Sequence, residues 1–83
     1  MMIRCKEDYE LYTGEIIFKR GNWYIVNSIS EEGDTFCYDI ACDPIKSHGN
    51  QIHFKFRSEN NITKYFYNIQ ELREREIDKV LKF

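Results

Sequence analysis

Alternation of apolar and polar positions is clearest at residues 51–57, QIHFKFR. Ile52, Phe54 and Phe56 fall on one face there, and His53, Lys55 and Arg57 on the other. A period of two marks a half-buried strand. The same period recurs in TFCYDIA, residues 35–41, where Phe36, Tyr38 and Ile40 alternate with Cys37, Asp39 and Ala41. Upstream, MMIRCK suggests an edge strand, YELYTG an irregular aromatic stretch, and EIIFK a further strand closed by the turn signal Arg20-Gly21-Asn22. SEEGD suits a hairpin loop in which Gly33 supplies a positive φ. CDPIKSHGN, with the single proline Pro44, is the best loop candidate. SENN is expected to turn the chain, and ITKYFY to return it as a strand.

The period then changes. Ile69, Leu72, Ile77, Val80 and Leu81 lie within about half of a helical wheel, so residues 69–82 predict an amphipathic helix. Asn68 would cap it, with Glu71 completing a capping box. The competing assignment is a short helix followed by a last strand, IDKVLKF. Five or six short strands, tight turns and one C-terminal helix predict a mostly β (α+β) domain built on a small, curved antiparallel sheet.

One strand breaks the alternation. Trp23, Tyr24, Ile25 and Val26 put large apolar groups on both faces of a single strand. If Tyr24, Val26, Phe36, Tyr38, Ile40, Phe54 and Phe56 fill the core, Trp23 and Ile25 point outward. Tyr65 and Tyr67 pose the same problem, because Phe66 shares its face with Ile62. Either the C-terminal helix covers this second apolar layer, or it is a contact surface for a partner or a second copy.

Composition narrows the class. Eighty-three residues, 42% hydrophobic and 31% charged, suit one globular domain with one core. A net charge of -2 argues against a strongly basic nucleic-acid binder. No apolar run approaches the length of a membrane span, and the N-terminal stretch lacks the apolar core of a secretory signal, so a cytoplasmic setting is expected. Cys5, Cys37 and Cys42 are then expected to be reduced thiols.

The stretch TGEIIFKRGNWYIVNSISEEGDTFCYDI, with its glycine turn, Trp-Tyr-x-Val strand and acidic glycine hairpin, resembles the SH3-like barrels of small bacteriophage and prophage accessory proteins. The likeness covers about residues 13 to 41. It implies an SH3-like barrel and a non-catalytic protein that docks on a host protein in the bacterial cytoplasm, such as a nuclease of a defence system, and inhibits it. The group shares no catalytic or binding residues, so none carries over. On the residues themselves, an aromatic patch of Trp23, Ile25, Tyr65 and Tyr67 would supply the contact, with the charged hairpin of Glu31, Glu32 and Asp34. Together with Glu7, Asp8 and Glu10, these acids could also imitate nucleic acid, although charged turns are common.

Rival chemistries need other residues. His53, Lys55 and Arg57 form a basic row that Lys64 could extend, and stacking tyrosines would make of it a nucleic-acid or nucleotide site. The plain alternative is the solvated face of an amphipathic strand. A third function is a structural or oligomer-forming domain. Cys37, Cys42, His48 and His53, spaced C-x4-C-x5-H-x4-H, have the ligand types of a zinc site. Their spacing is not one of the usual knuckles, and on a straight strand Cys37 and Cys42 point to opposite faces. No cofactor is expected. No glycine-rich phosphate loop is present, and no signature of a nucleophilic enzyme surrounds either cysteine, so no catalysis is expected.

Overall fold

The computed structural model describes residues 1–72. Strands dominate it. In chain order they are β1 (Met2–Arg4), β2 (Tyr9–Glu10), β3 (Ile16–Phe18), β4 (Trp23–Glu32), β5 (Thr35–Ile45) and β6 (Gln51–Phe56), followed by the helix α1 (Glu59–Tyr65). One antiparallel sheet has the order β1-β4-β5-β6, and β2 and β3 form a two-stranded ribbon. The sheet is open and no barrel closes among the described residues, so the curved antiparallel sheet describes this chain and the closed SH3-like barrel does not.

The long β4–β5 hairpin organises the sheet. Its turn, Gly33-Asp34, carries a positive φ of 62° at Gly33, the requirement of a two-residue loop whose twist matches the flanking strands. The expected loop at CDPIKSHGN is shorter than its sequence suggests. β5 runs through Pro44 to Ile45, with a register shift between Ala41 and Ile45 that accommodates the missing N–H. A 3₁₀ turn, Lys46–His48, follows.

Two sequence-based expectations fail. ITKYFY is not a strand: residues 62–65 form the second half of α1, and Phe66 and Tyr67 follow its end. Ser58 occupies its N-cap position, and Ile62, Tyr65 and Phe66 recur at the i, i+3, i+4 spacing of one helical face. Ile62 and Phe66 are fully buried, Tyr65 is half-buried and Lys64 is exposed, so the helical period, not the period of two, describes this stretch. Ile52 is also not in the core. It is 62% exposed, Phe54 is half-buried, and only Phe56 of that row is fully buried. The strand's apolar face enters the core at one end only.

Residues 69–72 are helical, and the Leu72 N–H donates to the Asn68 carbonyl at 3.1 Å. Asn68 has a left-handed φ of 60°, whereas the usual cap is extended, and among the described residues its side chain makes no capping bond. The remainder of the expected C-terminal helix, with Ile77, Val80 and Leu81, lies outside the described residues, as does the alternative strand IDKVLKF.

The core sits between the inner face of the sheet, the β2–β3 ribbon and α1. Phe18 is at its centre, with ring centroids 4.9 Å from Tyr24, 5.1 Å from Phe66 and 5.6 Å from Phe56. Tyr9 closes it from the ribbon, 5.1 Å from Phe54 and 4.6 Å from Tyr65. Most of these pairs are edge-to-face or tilted, as aromatic quadrupoles prefer.

Candidate functional site

The register of β1 on β4 builds the most distinctive surface. Ile3 lies opposite Tyr24, and both are buried on the inner face. Met2 opposite Ile25, and Arg4 opposite Trp23, therefore stand together on the outer face. Met2 is 54%, Trp23 58% and Ile25 51% exposed. Tyr67 joins them because the chain leaving α1 runs beside β1. The Tyr67 N–H donates to the Arg4 carbonyl at 3.1 Å, and the Lys6 N–H to the Tyr65 carbonyl at 2.8 Å. A groove of about 440 Å³ results, walled by Met2, Arg4, Trp23, Tyr67, Glu71 and Leu72 among others. The Lys6 ammonium stands 5.8 Å from the Tyr67 ring centroid at its margin.

The strand that bears Trp23 is fixed from its inner side. The Tyr24 hydroxyl accepts a hydrogen bond from the Lys19 N–H at 2.8 Å and donates to the Asp43 carboxylate at 3.1 Å. Burial pushes the Tyr24 phenol above its ordinary pKa, so it stays a donor through the neutral range. One residue therefore pins β4 to the end of β3 and to β5, while its neighbour Trp23 points the other way.

Of the expected contact residues, Trp23, Ile25 and Tyr67 are exposed on this side of the molecule. Tyr65 is half-buried in the core against Tyr9 and Phe56, so the structure separates it from Tyr67. That change of face follows from α1 replacing the expected strand. Glu31, Glu32 and Asp34 are exposed at the hairpin tip. Eight residues of strand separate Trp23 from Glu31, about 25 Å at roughly 3.3 Å per residue, so the acidic tip and the aromatic patch are two places.

The basic row divides as well. His53 and Lys55 lie on the outer face of β6 opposite Ala41 and Asp39, and Arg57 follows the strand end. His53 Nδ1 is 3.5 Å from an Asp39 carboxylate oxygen, to which the Asn27 amide also donates at 3.5 Å. Lys64 does not extend the row. It sits on α1, with its ammonium 5.4 Å from the Tyr65 ring centroid. The row thus has its own counter-charge and no adjacent stacking tyrosine.

Cys42 belongs to the inner core with Tyr38 and Ile40, while Cys37 is buried outside that cluster. His48 is exposed on the 3₁₀ turn, its Nδ1 3.0 Å from the Ser47 hydroxyl. Among the described residues no three His, Cys, Asp or Glu side chains converge as a metal site would require. Burial, reinforced by the Asp43 charge, pushes the Cys42 thiol up to about 11, so it is neither thiolate nor accessible nucleophile near neutral pH. Burial raises Cys5 in the same direction, and its Sγ–H donates to the Glu7 carbonyl at 2.9 Å.

The sequence did not single out Met2, Arg4 or Lys6, and it offered Glu71 only as part of a capping box. The alternation of β1, with Ile3 between Met2 and Arg4, held the signal for the first two. The pairing of β1 with β4 and the return of residues 65–67 beside it were not legible locally. No helix of the described residues is long and apolar enough to cross a membrane. No protein-family model, curated protein or solved structure matches the chain.

Proposed function

We propose that this protein is a non-catalytic binding domain that docks on a partner protein through Trp23. The observation that supports this is the gathering of Met2, Trp23, Ile25 and Tyr67 on one exposed side, beside a groove, while every other aromatic except Tyr12 is at least partly buried among the residues described. A large aromatic on a braced strand, ringed by apolar neighbours, is the composition of an interface anchor. The sequence resemblance to phage and prophage accessory proteins gives the partner class: a host protein, such as a defence nuclease, blocked by occlusion. The competing nucleic-acid reading through His53, Lys55 and Arg57 has less support, since Asp39 faces that row and Tyr65 is turned into the core.

The test is affinity capture from a bacterial lysate with the wild type and with Trp23→Ala, the retained proteins being identified by mass spectrometry. A partner held by the wild type and lost by a folded Trp23→Ala variant is the expected result. Equal capture by both, or capture of nucleic acid that disappears steeply with salt, would overturn the assignment.

A further inference from the structure

We draw no further inference here: the strongest candidate, the groove between β1 and the chain leaving α1, walled by Met2, Arg4, Trp23, Tyr67 and Glu71, belongs to the docking site already described, and nothing among the described residues shows what covers its apolar face.

Discussion

The outer face of the sheet is two surfaces on one support. Over β1 and the start of β4 it presents Met2, Trp23 and Ile25. Over β5 and β6 it presents Asp39, His53 and Lys55. The inner faces beneath are alike, with Ile3 and Tyr24 buried at one end and Tyr38, Ile40 and Phe56 at the other. The fold therefore does not require an apolar outer face. On β5 and β6 the same kind of strand carries charges that water and each other satisfy. On β1 and β4 the described residues leave the apolar groups Met2, Trp23 and Ile25 about half exposed, and a contact outside them is the physical reason to keep such groups together.

The inner face supplies the stability of both strips. Phe56→Ala should cost about 3–5 kcal/mol, since it empties a fully enclosed site against Phe18 and Phe66. Denaturant titration measures it, and a loss under about 1 kcal/mol would mean that the core has been placed wrongly. Phe54→Ala should cost clearly less, because that ring is only half-buried.

The apolar strip is broken most directly at its centre. Trp23→Ala should lower stability by less than about 1 kcal/mol while removing at least about 2 kcal/mol of partner binding. A melt displaced as far as that of Phe56→Ala would show Trp23 to be core and erase the distinction between the two strips.

A smaller effect tests the common support. The Glu15 carboxylate, from the loop between β2 and β3, accepts the Lys46 N–H at 2.7 Å and the Ser47 N–H at 3.3 Å, tying the ribbon to the far end of β5. The bonds from Ser47, followed by that from Lys46, hold its pKa below the ordinary 4.5. A depressed carboxylate stabilises the fold above its unfolded pKa, and that contribution disappears as pH falls through the folded value. Thermal melts should therefore show a small acid-side decline starting near pH 4.5 that Glu15→Gln flattens. An identical decline in the variant would assign the acid sensitivity elsewhere.

The smallest effect is expected on the charged strip. Lys55→Ala and His53→Ala should each shift stability by no more than about 0.5 kcal/mol, because Lys55 is exposed and the His53–Asp39 pair at 3.5 Å is a surface contact that contributes little. A loss of binding on either, equal to that from Trp23→Ala, would move the functional surface to β6.

Residue order alone determined the β-rich fold, the hairpin turn at Gly33 and the outward direction of Trp23 and Ile25, because a period of two and a glycine's φ are local properties of the chain. It misplaced Ile62–Tyr67, where a period of two and a period of 3.6 both bury Ile62 and Phe66. Contact with Phe18 and Tyr9 selects the helix and turns Tyr65 inward. Only the tertiary structure set Arg4 and Met2 beside Trp23 and brought Tyr67 and Glu71 across from them. Strand pairing joins residues about twenty positions apart and the chain return joins residues more than sixty apart, and no local pattern encodes either distance.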